Sequence, residues 1–210
     1  MRFRTRPECK RWISPGETPS PSAFRLRHAV AGRYGVRNSV STIETDVTVE
    51  SNYLRAVLAQ WASGVVVVTT VRADGGRHGM TASSFTGVAL DPPLISVCLV
   101  STSTTCRMIR GSGVFAANVL GHDQQNIGRR FASPVWNAAT DRFAAGQWDT
   151  ASTGAAVLTD AVAWLDCVLT ACHPAGDHTI IVGAVQDAAT PRPIAPLIYH
   201  DRTYHEGIVR

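Results

Sequence analysis

The chain has 210 residues, 45% of them hydrophobic and 17% charged, with a net charge of +4. That size supports one ordinary domain with a substantial core, without metal or disulfide staples. The composition excludes a wholly disordered, collagen-like or coiled-coil chain, and no apolar run approaches the roughly 18 residues of a membrane span.

The charge is unevenly placed. Residues 1–38 hold nine Lys and Arg against two acids, Glu8 and Glu17, a local charge of +7, whereas residues 39–210 carry −3. Gly, Pro and Ser between positions 14 and 23 break any pattern there. Residues 1–44 are therefore expected to be a basic, flexible N-terminal extension, and residues 45–210 the folded domain. A basic tail without a folded reader names no nucleic-acid partner, and no apolar stretch follows the basic cluster to make a signal peptide. Neither a nucleic-acid nor a membrane partner is expected. Cys9, Cys98, Cys106, Cys167 and Cys172 show no metal-ligand spacing; an odd count without a secretion signal fits a reducing compartment, by default the cytoplasm.

Apolar Leu54, Val57, Leu58, Trp61 and Ala62 recur three and four apart, so Tyr53 to Ser63 reads as a short helix ended by Gly64. Val65 to Val71 is a β-branched run too apolar for a one-sided strand, and Asp74-Gly75-Gly76 turns it into a hairpin with a strand over His78 to Ala82. Asp91-Pro92-Pro93 separates Val88–Leu90 from a strand over Leu94 to Val100. Hydroxyls at 101–105 offer N-caps for a helix closed by Gly111-Ser112-Gly113. Val114 to Leu120 reads as a strand and Asp123 to Ala132 as a helix. Residues 133–156 show no period and read as a long loop, helical near Thr140 to Ala144. Ala161 to Cys172 and His178 to Asp187 form a hairpin around Pro174–Asp177, the first strand apolar on both faces and expected buried on both. A short strand from Leu197 to His200, with Tyr204, ends the domain. Many strands joined by hairpin-length connections favour a mainly β, antiparallel barrel over a doubly wound sheet.

The usual catalytic signatures are absent: there is no G-x-G-x-x-G after a strand, no Walker loop, no H-E-x-x-H and no G-x-S-x-G. What stands out is hydroxyls beside strand ends, in Thr81-Ala82-Ser83-Ser84 and in Ser101–Thr105. Hydroxyls with free helix-start N–H groups suit a phosphate, although each stretch also reads as a solvated turn or cap.

Six ordered motifs carry more. They are W-A-S-G-V-V-V-V-T-T from Trp61, H-G-M-T-A-S-S-F from His78, L-D-P-P-L-I-S-V-C-L from Leu90, F-A-A-N-V-L from Phe115, R-R-F-A from Arg129 and G-D-H-T-I-I-V-G from Gly176. With L-I-Y-H from Leu197, the stretch from about Ala56 to Tyr204 resembles the flavin reductase-like family. The resemblance implies an FMN-binding split β-barrel with a few short flanking helices, usually a homodimer. It implies hydride transfer from NADH or NADPH to FMN, with FAD or riboflavin as other substrates, and release of reduced flavin to a separate monooxygenase. Alternatives on the same fold are an oxidoreductase or oxygenase that keeps FMN, and a non-catalytic flavin- or haem-binding module.

By the same resemblance, Thr81, Ala82, Ser83 and Ser84 would line the isoalloxazine, and Ser103 and Thr105 would hold the phosphate. Asn118 and Leu120 would lie beneath the ring or ribityl chain, unless Asn118 merely satisfies backbone groups. Phe131 would wall the site or simply pack in the core. His178 would meet the nicotinamide, or else face solvent. Tyr199 and Tyr204 would close the site or the dimer seam. One departure is informative: where family members often carry an acid and then a base after the strand ending at Leu99, this chain has Val100 and Ser101. Arg107, Arg129 or Arg130 would have to compensate, which leaves the choice between FMN and FAD open.

Overall fold

The computed structural model describes residues 49–72, 74–133 and 141–207. The extension expected over 1–44 and part of the long loop, 134–140, lie outside the described residues.

Helix α1 (Ser51–Leu58) starts earlier than its apolar period because Glu50 caps it, the carboxylate accepting the Asn52 and Tyr53 N–H groups, both at 3.0 Å. Gly64 does not end this helix; it belongs to a short strand, β1 (Ser63–Gly64). The chain continues through β2 (Val66–Val71), β3 (Arg77–Ala82), β4 (Thr86–Leu90), β5 (Pro93–Val100), α2 (Thr104–Ser112) and β6 (Val114–Val119). A 3-10 turn (His122–Gln124) leads into α3 (Gln125–Ala132), and a second (Arg142–Ala144) precedes β7 (Trp148–Thr150) and β8 (Ala156–Leu158). The long hairpin β9 (Ala163–Ala175) and β10 (His178–Ala189) is followed by β11 (Leu197–His200) and β12 (Thr203–Glu206).

All strand pairings are antiparallel. The main sheet runs β3-β2-β6-β9-β10-β5-β4, and β3 at one edge packs back onto β5, so the sheet curls into a barrel. The β-branched run in β2 is explained by its two neighbours. Val66 and Val68 join a core with Val97, Leu99, Ile109 and Phe115, whereas Val65 and Val67 join a second with Leu120, Phe131, Phe143 and Leu158. Each such side chain contributes about 1.5–3 kcal/mol through burial. Gly79 in β3 is required by close approach: a Cβ there would lie 2.9 Å from the Val68 carbonyl oxygen and 3.1 Å from Phe131. That absence of a side chain lets Phe131 of α3 settle against β3.

Two expectations need correction. The unpatterned stretch 133–156 contains strand β7, and β8 begins at Ala156; three-residue strands are too short to show a period. Strand β9 is not buried on both faces. Asp166 and Cys167 are enclosed, but Val168 is 39% exposed and the far end is open.

Candidate functional site

Two adjoining clefts meet at Thr81. One, of about 410 Å3, is lined by His78, Thr81, Ser103, Thr104, Thr105 and Arg142, with Phe131 at its wall. The other, of about 180 Å3, is lined by Thr81, Ala82, Ser83, Tyr199 and Tyr204. The hydroxyls come from the end of β3 and the start of α2, two places where strand and helix termini leave backbone groups unpaired.

The start of α2 is built by its own sequence. Ser103 caps it, its Oγ accepting the Cys106 N–H at 3.2 Å, and Gly113 ends it in the left-handed region at φ 74°. Because the Ser103 oxygen acts there as acceptor, its O–H remains a donor. Thr105 is only 2% exposed and lines the larger cleft, and its hydroxyl has no hydrogen-bond partner among the described residues. Its oxygen opens into the cleft, where a ligand acceptor or water can pair with it. Arg107 folds over the same loop, donating to the Thr102 carbonyl at 3.0 Å and to Thr104 Oγ1 at 3.3 Å. A helix start, a hydroxyl open to the cleft and nearby cations have the chemistry that suits a phosphate ester.

The other expected residues are placed as follows. Thr81 Oγ1 donates to the Gly128 carbonyl at 2.7 Å. Ser84 Oγ donates to the Cys98 carbonyl at 2.7 Å and accepts the Cys98 N–H at 3.1 Å, so it fastens the β3–β4 connection to β5. Asn118 and Leu120 line neither cleft. Asn118 is fully enclosed: its amide nitrogen donates to the Val67 carbonyl at 3.0 Å and its Oδ1 accepts the Leu158 N–H at 2.7 Å. Leu120 lies in the core layer behind the site. Phe131 does both things considered for it, walling the larger cleft and packing edge-on against Phe143 at 5.1 Å. His178 lines neither cleft; its Nδ1 lies 2.6 Å from Asp177 Oδ1 at the β9–β10 turn. That turn borders the α2 start, since the Ser101 N–H donates to the Asp177 carbonyl at 3.0 Å. The hydrogen bond from His178 holds the Asp177 carboxyl below its ordinary range.

Two cleft residues carried no signal in the sequence. His78 was only the first letter of a motif, and Arg142 sits in a stretch without a period. Arg142 donates to the Gly79 carbonyl and the Ser133 carbonyl, both at 3.1 Å, which brings its guanidinium to the cleft beside His78. Of the three candidate compensating arginines, Arg107 reaches the hydroxyl loop. Arg129 instead lies over the Tyr204 ring at 5.4 Å and, with Arg130, lines a separate depression.

The antiparallel barrel, with helix-start hydroxyls and strand-end backbone at its mouth, has the architecture that the motif resemblance implies. Residues 58–207 match the family described as flavin reductase like domain. The actinorhodin polyketide dimerase of Streptomyces coelicolor is 37% identical over 155 residues, covering 74% of this chain and 85% of that protein. The flavin reductase (NADH) of Kitasatospora aureofaciens is 37% identical over 160 residues, covering 74% and 81%. The crystal structure of the flavin reductase component of a bacterial two-component tryptophan halogenase superposes with TM-score 0.70 at 36% identity, covering 77% of this chain and all of that one. The chain belongs to the flavin reductase-like family.

Proposed function

We propose that this protein is an NAD(P)H:flavin oxidoreductase that takes FMN in the two clefts joined by Thr81 and passes reduced flavin to a separate monooxygenase. The Thr105 hydroxyl supports the placement, because it lines the larger cleft without a protein hydrogen-bond partner among the described residues and so is available to a ligand acceptor. Ser103, Thr105 and the first N–H groups of α2 would hold the phosphate. Thr81, Ala82 and Ser83 would present backbone groups and the Ser83 hydroxyl to the ring in the smaller cleft. A bound flavin would supply the redox chemistry, with NADH or NADPH as the hydride donor. The protein's own task is to aim the rings and to place donors where negative charge develops on reduction. His178, beside the α2 start, would meet the nicotinamide nucleotide rather than the flavin.

The working form we infer is a homodimer. Across β9, β10, β5 and β4, the register aligns Val168, Ala184, Leu94 and Ala89 in one apolar row that the protomer leaves partly uncovered. Strand β9 is thus apolar on a face that a second copy would cover. Among the described residues no helix is long and apolar enough to cross a membrane.

Replacing Ser103 with Ala and Thr105 with Val together tests the site. FMN affinity should fall at least tenfold more than riboflavin affinity, about 1.4 kcal/mol of selective loss. Equal losses for the two flavins would remove the phosphate from this cleft.

A further inference from the structure

The hydroxyls explain how a phosphate would be held, but not why a histidine shares the same cleft. His78 lies on β3, half-buried, and lines the cleft with Thr105 and Arg142. We propose that His78 is a phosphate-responsive binding residue: it takes up one proton from solvent as a phosphate ester enters the cleft, so that FMN affinity rises as pH falls into the histidine range.

The elements packed against β3 bring mostly cations: Arg72 at the end of β2, Arg107 and Arg110 from α2, and Arg129 and Arg130 from α3. Arg142 comes from its own turn, and Arg77 precedes His78 on the strand. Strand β5 contributes no charge. The two nearby carboxylates are engaged elsewhere. Asp74 lies 3.3 Å from Arg72, and Asp141 accepts the Phe143 N–H at 2.9 Å to cap the Arg142 turn. Among the described residues no carboxylate lines the cleft to act as counter-ion. Burial, with Arg142 and Arg72, therefore holds the imidazole below its ordinary pKa and disfavours its charged form. A phosphate reverses the balance, because it supplies the negative charge that an imidazolium needs. The coupling then runs both ways: the anion favours the proton, and the proton favours the anion. This inference rests on the larger cleft being the flavin phosphate site.

The test measures FMN and riboflavin dissociation constants by flavin fluorescence for wild type, His78→Gln and His78→Lys, at about pH 6 and about pH 8. The ionisation of the FMN phosphate is common to all three proteins and cancels when variant and wild type are compared. The His78→Gln to wild-type ratio for FMN should be near one at the higher pH and roughly five- to tenfold at the lower, with the riboflavin ratio flat. His78→Lys should bind FMN at the higher pH at least as tightly as wild type. Calorimetry of wild type in two buffers of different ionisation enthalpy should show net proton uptake with FMN beyond that seen with riboflavin. An FMN ratio that does not change with pH, or a riboflavin ratio that changes in parallel, would overturn the proposal. Tight FMN binding that Ser103→Ala and Thr105→Val leave intact would instead show that the phosphate lies elsewhere, and so overturn the site assignment itself.

Discussion

Thr81 of β3 and Gly128 of α3 are joined by a 2.7 Å hydrogen bond from the threonine hydroxyl to the glycine carbonyl. Both clefts have Thr81 in their lining, so this bond fixes the spacing between the barrel rim and the helix that walls it. It also means that the Thr81 side chain is already committed and leaves its backbone for a ring. Thr81→Ser should keep affinity within about twofold, since the bond survives. Thr81→Val leaves the Gly128 carbonyl without this donor and should cost about 1 kcal/mol in stability and several-fold in flavin affinity. Urea denaturation together with flavin titration checks both. A valine variant with wild-type affinity would show that the bond does not position the site.

The alkaline limb of stability should report Cys167. Burial first, and the neighbouring Asp166 carboxylate second, push its thiol from 9.0 up to about 12. In the unfolded chain the thiol ionises near its ordinary value, so between about pH 9 and about 12 the folded state binds more protons than the unfolded one. Stability should therefore fall as pH rises through that window. Melting temperatures across it should decline less steeply for Cys167→Ala than for wild type. Parallel declines would mean that the thiol does not titrate in this range.

The apolar row on the outer sheet face makes a prediction about assembly. Val168 is already 39% exposed in the single chain, so Val168→Asp should be tolerated by the protomer fold. In a homodimer covering that face it would bury a charge without a partner, at a cost of several kcal/mol. Light scattering should give twice the chain mass for wild type and the single-chain mass for the variant. Wild type running as a monomer, or a variant that stays dimeric, would place the interface elsewhere or remove it.

The fold was legible where single elements carry their own physics. The Val66–Val71 run, the Asp74-Gly75-Gly76 turn, the hydroxyl-capped start of α2 and its Gly113 end all act over a few residues and appear where the sequence places them. Strand β8 did not announce itself, and that gap hid the work of Asn118. Its Oδ1 satisfies the Leu158 N–H of β8, so without β8 in view both roles, ligand contact or backbone partner, stay open for its amide. Thr105 was legible as a phosphate candidate, but its burial and missing partner depend on how α2 packs against the barrel. His78 and Arg142 belong to segments far apart in the chain. The hydrogen bond from Arg142 back to the Gly79 carbonyl and the Arg77 guanidinium over the Phe143 ring join their neighbourhoods, and no local pattern encodes such tertiary contacts.

Flavin reduction is read by one assay: anaerobic oxidation of NADH and of NADPH by the purified chain with excess FMN, FAD or riboflavin, followed by nicotinamide and flavin absorbance together. Many turnovers of added flavin per protein, with nicotinamide oxidised and flavin reduced one for one, are the expected result. No turnover with any of the three flavins and either nucleotide, from a folded protein that binds FMN, would contradict it.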